Sequence, residues 1–188
     1  MGRWQPDARG RLIRAALELY EERGFEQTSA AEIAQRAGVT ERTFFRHFAD
    51  KREVLFDGST DLQAAVVGAI AAAPSPTAPI DVVGAAMQGA ASFFEDRRDH
   101  ARRRAAVIAA NPGLQERELL KLSRLASASA EALGRRGVAE PAATLAAETG
   151  VTVFKVAFDR WVADGATGDY AACVRDALAQ LRALTAGS

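Results

Sequence analysis

Residues Ser29–Asp50 read SAAEIAQRAGVTERTFFRHFAD, and the rest of the chain is organised around them. Ser29 and Glu32 stand three apart, the spacing of a capping box. The serine oxygen can accept from an orphan amide, and the glutamate can reach back to the serine amide. Ile33 and Ala34, with Ala30 and Ala37 at helical offsets, form a small apolar face. Gly38 stops this first short helix, because glycine takes the left-handed conformation cheaply. Val39 plugs the turn, Thr40 caps a second helix, and Glu41 suits its positive end. Phe44 and Phe48 lie four apart and point inward. Arg42 and Arg46 point almost the opposite way, with Thr43 and Phe45 on the flanks. A helix apolar on one side and rich in arginine and threonine on the other has the chemistry of a major-groove reader, since arginine forks onto guanine O6 and N7. The same residues also fit a helical hairpin in an ordinary bundle with two solvated arginines, and spacing alone leaves both readings open.

From about Arg11 to Leu55 the sequence resembles the DNA-binding domain of the TetR (tetracycline-repressor-like) family. The resemblance runs in order through Phe25, Thr28-Ser29, Ile33-Ala34, Ala37-Gly38-Val39-Thr40, Thr43, Phe45, His47-Phe48, Lys51 and Val54-Leu55. It implies a sequence-specific DNA-binding transcriptional regulator, a repressor released by a small-molecule effector. The partners it implies are double-stranded DNA with a palindromic operator, a second copy of the chain, and the effector. The expected DNA-binding residues are Thr28, Ser29, Thr40, Arg42, Thr43, Phe45, Arg46, His47 and Lys51. Thr28, at the entry to the first short helix, suits a phosphate because free amides gather there, and the resemblance implies a backbone contact. Lys51 opposes the dipole at the start of its own helix; a phosphate would relieve that conflict, and the resemblance implies one. For His47 the resemblance favours a phosphate contact over a half-buried ring. The family often has tyrosine where this chain has Phe45, so Phe45 is expected to pack rather than to bond a phosphate.

Composition bounds the rest. The chain has 188 residues, of which 48% are hydrophobic and six are proline, with alanine abundant and β-branched runs few. This is an all-α composition. The formal net charge is +0, so any nucleic-acid footprint must be local. Arg3, Arg9, Arg11 and Arg14 outnumber Asp7 near the start, and Arg42, Arg46, Lys51 and Arg52 cluster later. The single cysteine, Cys173, excludes an internal disulfide and fits a reducing compartment. No apolar stretch is expected to span a bilayer, and no signal-peptide core opens the chain, which predicts a cytoplasmic protein.

About nine helices are expected. Residues 1–6 read as a loose arm. A buttressing helix runs from about Asp7 to Arg23 with Ile13, Ala16, Leu17 and Tyr20 on one stripe. Asp50 and Glu53 form a second capping box opening a long fourth helix through Ile70, softened near Gly58 and Ser59. PSPTAP, residues 74–79, breaks the chain. Further helices follow over Ile80–Arg98, His100–Ala110, Leu114–Arg136, Pro141–Ala163 and Asp169–Ala186. The division expected is a helix-turn-helix domain over residues 1–55 and an effector-binding and dimerisation domain over 56–188. The helix from Pro141 is apolar on more than one side, so a second subunit is expected to cover one of them, making a homodimer through the last two helices. That would set two reading helices about 34 Å apart on a palindromic site.

The resemblance implies a small-molecule pocket in the second domain, for which Met87, Phe94, Val107, Ile108, Phe158 and Trp161 are the candidate lining. The same stripe fits plain core packing. An enzyme is the rival class, but no glycine-rich phosphate loop, zinc-ligand spacing or nucleophile elbow appears, so no catalytic residue, metal or cofactor is assigned.

Overall fold

Asp7 accepts a hydrogen bond from the Gly10 amide at 2.9 Å and opens α1, Ala8–Arg23. Its buried residues Leu12, Ala15, Ala16, Leu17, Leu19 and Tyr20 recur at helical spacing, and Gly24 ends it at φ 87°. Next come α2, Ala30–Arg36, and α3, Glu41–His47. The Ser29 hydroxyl accepts from the Glu32 amide at 3.2 Å while a Glu32 oxygen accepts from the Ser29 amide at 2.9 Å, completing the capping box. Gly38 turns the chain at φ 68°. The coordinates, a computed structural model, describe residues 7–94, 96–163 and 165–186. The arm expected over residues 1–6 lies outside them.

The fourth helix differs from its sequence reading. Asp50 accepts from the Arg52 and Glu53 amides, and the chain then makes a 3-10 turn, Glu53–Phe56, whose N-cap is Arg52. Gly58 breaks the path at φ 79°, and α4 runs only over Ser59–Ala72. A left-handed residue cannot continue an α-helix, so the softening expected near Gly58 is a full stop. The stretch Glu53–Ala72 does reach bilayer-spanning length and composition, with mean hydropathy 1.2, against the expectation that none would. Gly58 divides it, and the two parts bury their side chains in different cores.

After the proline loop come α5, Pro79–Gly89, and a 3-10 turn, Ala90–Phe93, in place of one helix to Arg98. Then follow α6, Arg98–Ala109; α7, Pro112–Arg135; α8, Ala142–Val162; and α9, Tyr170–Thr185. The described residues thus form nine α-helices.

Two compact units result. One holds the chain through Asp57 together with Arg103–Glu116; the other holds Gly58–Arg102 and the chain from Arg117 onward. The first unit's core joins Leu12, Leu17, Leu19, Tyr20, Phe25, Ile33, Phe44 and Phe48 to Val54, Leu55 and Phe56, and also takes in Val107, Ile108 and Leu114. Arg103 Nε donates to Glu21 at 2.7 Å, and Arg104 Nε donates to the Leu55 carbonyl. In the second unit α5 packs on α4, α8 and α9, and α8 lies along α9. These crossings are tight: a Cβ on Gly150 would stand 2.1 Å from Val83 Cγ1, and one on Gly84 would stand 2.8 Å from Leu178 Cδ1. The Arg136 guanidinium donates to the carbonyls of Ala71, Ala73 and Pro74, closing the end of α4 that the following prolines leave open.

Candidate nucleic-acid interface

The inward face of α3 is held by rings. Phe44 is fully buried and Phe48 nearly so, their centroids 5.7 Å apart. Thr40 opens the helix by accepting from the Thr43 amide at 3.2 Å, and the two hydroxyls bond each other at 3.0 Å. With α3 fixed on that side, Arg42, Phe45 and Arg46 face outward, and all three are exposed. No hydrogen bond or ion pair engages Arg42 or Arg46 among the described residues. Elsewhere in this unit the arginines are committed. Arg36 forks onto Glu22 and reaches Glu18, Arg23 pairs with Glu32, and Arg9 pairs with Asp57. Arg11 Nε donates to the Ala37 carbonyl at 3.0 Å, holding the turn to α1. The fold therefore secures its frame with one set of arginines and leaves two on the outer side of α3. Phe45, 53% exposed and edge-on to Phe44 at 5.3 Å, stands between them. A ring so placed can meet a thymine methyl.

Three expected contacts look different in place. Thr28 is 2% exposed, and its hydroxyl donates to the Gly24 carbonyl at 2.9 Å, tying the end of α1 to the start of α2. Lys51 Nζ donates to the carbonyls of Phe25, Glu26 and Thr28 at 2.8, 3.3 and 2.9 Å, and lies 4.4 Å from the Phe25 ring centroid. An ammonium has three protons, so each already has an acceptor. These carbonyls offer the charge acceptors within the chain itself. Tyr20 completes the clamp by donating to the Lys51 carbonyl at 2.6 Å, and burial first, then nearby Asp50, pushes its phenol well above its ordinary value. His47 is half-buried, with Nε2 enclosed and without a hydrogen-bond partner among the described residues. Ser29 remains exposed at the N-terminus of α2, engaged with Glu32.

Two family models together cover most of the chain. Residues 12–57 match the family described as bacterial regulatory proteins, tetR family. Residues 77–186, more than half of the chain, match the MftR C-terminal domain. The chain belongs to the TetR family. Among its relatives, the HTH-type transcriptional regulator TcmR of Streptomyces glaucescens is 35% identical over 88 residues, 47% of this chain and 39% of that protein. The putative mycofactocin biosynthesis transcriptional regulator MftR of Mycobacterium tuberculosis (strain ATCC 25618 / H37Rv) is 35% identical over 101 residues, 53% of this chain and 50% of that one. The chain thus spans half or less of the length of these relatives. A putative TetR-family regulator from Syntrophomonas wolfei has the same fold, with a TM-score of 0.68 at 17% identity and 96% of each chain covered. So does Thermus thermophilus FadR, solved in complex with lauroyl-CoA, with a TM-score of 0.53 at 24% identity and 92% of each chain covered.

The second unit of this TetR-family protein contains a cavity of ≈ 640 Å³. Phe94 and Trp161, both expected as pocket residues, line it together with Arg98 and Tyr170, which sequence reasoning missed. Phe158 stacks behind them, 5.6 Å from Phe94 and 6.1 Å from Trp161 between centroids, and is not among the lining. Met87 is fully buried in the helical core beside Gly150. Val107 and Ile108 belong to the core of the other unit altogether. The six expected residues therefore do not form one pocket: two line a cavity, one backs it, and three are core. Nothing in the sequence separates Arg98 from the basic run that follows it. Tyr170 reads as one more apolar position of its helix.

Proposed function

We propose that this protein is a transcriptional regulator that reads duplex DNA with α3, acting as a homodimer on a palindromic operator and as a repressor released by a small-molecule effector. The observation that carries the reading is the pair Arg42 and Arg46: exposed, one helical turn apart, uncommitted, and opposite two buried phenylalanines. Arginine left free beside a network in which its neighbours are all paired is placed for an external acceptor. The reading set is Arg42, Thr43, Phe45 and Arg46, with Ser29, Thr40 and His47 toward the backbone. The DNA-binding head comprises residues 1–55 with Arg103–Glu116 as its support; the remainder of 56–188 serves effector binding and dimerisation. The dimer reading is supported by α8. Its buried face is complete within one chain, yet Leu145 and Val156, at helical spacing on the other face, are 63% and 43% exposed. Leu184 on α9 is 84% exposed. The effector reading is supported by the cavity. We assign no catalysis, and place the protein in the cytoplasm with the DNA it reads.

A gel-shift assay with DNA from upstream of the gene tests this. A specific, salt-sensitive shift is expected. Arg42→Ala or Arg46→Ala should each weaken specific binding by about 1–3 kcal/mol and relax base preference. If either variant loses only nonspecific affinity, the reading face lies elsewhere. Absence of any shift at low salt without ligand would remove the regulator assignment.

A further inference from the structure

We propose that the cavity walled by Phe94, Trp161 and Tyr170 binds a flat aromatic molecule bearing a single carboxylate, with the Arg98 guanidinium as the partner of that headgroup. This deepens the effector reading above and rests on it. Five rings gather at the site, with Phe94 at the hub: its centroid lies 4.8 Å from Tyr170, 5.9 Å from Trp161, 5.6 Å from Phe158 and 5.9 Å from Phe154. Trp161 and Tyr170 are 4% and 2% exposed. The volume, ≈ 640 Å³, lies inside the range of roughly 300–1,000 Å³ that holds small organic ligands.

Arg98 sets the headgroup. Its Nε donates to the Trp161 carbonyl at 2.7 Å, and its guanidinium carbon lies 5.6 Å from the Trp161 ring centroid. Its Nη2 is enclosed and has no hydrogen-bond partner among the described residues. Arg98 is half-buried and lines the cavity, so its charge is placed beside any acceptor bound there. A carboxylate matches the planar fork. A cationic ligand would instead meet the positive charge already seated beside Trp161. The rim is acidic but largely engaged: Asp169 accepts from the Ala172 amide at 2.6 Å, and Asp99 lies 3.5 Å from Arg102. With Asp96 beside them, this rim disfavours a second anionic group at the mouth. The ligand class is therefore a monoanion with its charge inside, not a polyphosphate-bearing one.

The test uses the full chain carrying Trp4→Phe, which leaves Trp161 as the one tryptophan of the two in the sequence. It is titrated with 1-pyrenecarboxylate and 1-pyrenemethylammonium, and energy transfer from Trp161 to pyrene is followed. The carboxylate should bind with transfer and the ammonium should bind more weakly. Arg98→Met should weaken the carboxylate about tenfold or more, the range expected for a lost charge-assisted bond, and Arg98→Lys should weaken it less. Ala171→Phe, which puts a ring into the cavity wall and leaves Arg98 in the sequence, should also weaken transfer and carries the test if Arg98→Met does not fold. No transfer with the carboxylate, equal binding of the ammonium, or Arg98→Met within twofold of the parent would each overturn the proposal. Operator binding is measured in parallel. Binding at Arg98 without release of DNA overturns the effector reading and leaves the site standing; failure to bind with an intact gel shift overturns the site and leaves the DNA reading standing.

Discussion

Lys51→Met separates a clamp from a phosphate contact. The substitution keeps most of the stem and removes the ammonium. Three carbonyls, those of Phe25, Glu26 and Thr28, lose their common donor, and the Phe25 ring loses a cation 4.4 Å from its centroid. A hydrogen bond to a charged group contributes about 1.5–3 kcal/mol net, and an exposed cation–π contact roughly 0.5–1 kcal/mol. The three bonds do not add in full, because Lys51 is only half-buried and water can reach the turn. The 3.3 Å bond to Glu26 is also longer than the other two. Two effective bonds, discounted for rehydration, give a loss of about 2–3 kcal/mol, within the usual range for breaking a buried polar network. Urea unfolding followed by circular dichroism measures it. The second arm is the salt dependence of operator affinity. With all three protons directed at carbonyls, Lys51 neutralises no phosphate, so the slope of log affinity against log salt should match the parent. A phosphate contact predicts the reverse: stability unchanged and a slope lower by about one. That result would refute the clamp.

The other expectations are simpler to state. The Glu32 carboxyl is held below its ordinary value of 4.5, first by the Ser29 amide, then by the Ser29 hydroxyl; a depressed carboxyl stabilises the fold above its unfolded value and loses that contribution as pH falls through the folded one. Melting from pH 7 to pH 3 should therefore show a shallower acid decline in Glu32→Gln, and an identical profile would show that the capping box carries no linkage. Gly150→Ala drives a Cβ to within 2.1 Å of Val83 Cγ1 and should cost about 1–3 kcal/mol by overpacking. Gly134→Ala, on α7 with open space around it, should raise stability by about 0.5–1 kcal/mol, and thermal melts that rank the two alike would contradict the crossing described. Leu145→Glu with Val156→Glu should convert a dimer to a monomer in sedimentation while helicity is kept; a persistent dimer would place the interface on another face.

What the sequence makes legible is whatever depends on neighbours in the chain. Ser29 with Glu32, Thr40, Gly38 and the pair Phe44 and Phe48 act within one or two turns, and each does in the fold what its spacing suggests. Asp169 marks a helix start for the same reason. Lys51 has partners far off in sequence, whereas Thr28 bonds the Gly24 carbonyl four residues back, across the turn rather than within the helix it was read with. Helical spacing assigns a face to a residue but not the group that face meets. Lys51 reaches back 26 residues to the Phe25 carbonyl, and a flexible ammonium gives no local sign of whether a carbonyl or a phosphate will claim it. Val107 and Ile108 failed likewise. Their apolar face was evident, but whether it joined the core of one unit or the other was not.

The cavity was legible in part: Phe94 and Trp161 line it as expected, and Met87, read on the same stripe as Phe94, does not, for a reason of helical phase. If α5 continued unbroken, Met87 and Phe94, seven residues apart, would share a face, and Phe94 would go into the core where Met87 is buried. Instead α5 stops at Gly89 and the chain takes a 3-10 turn over Ala90–Phe93. Each residue of that turn advances by one third of a circle instead of 1/3.6, so four residues accumulate about 80° of rotation relative to an α-helix. This carries Phe94 off the Met87 stripe, to a half-buried position against Tyr170 and Trp161, where it becomes a wall. A change of helix type too short to alter the apolar pattern thus separates a packing residue from one that can face a ligand.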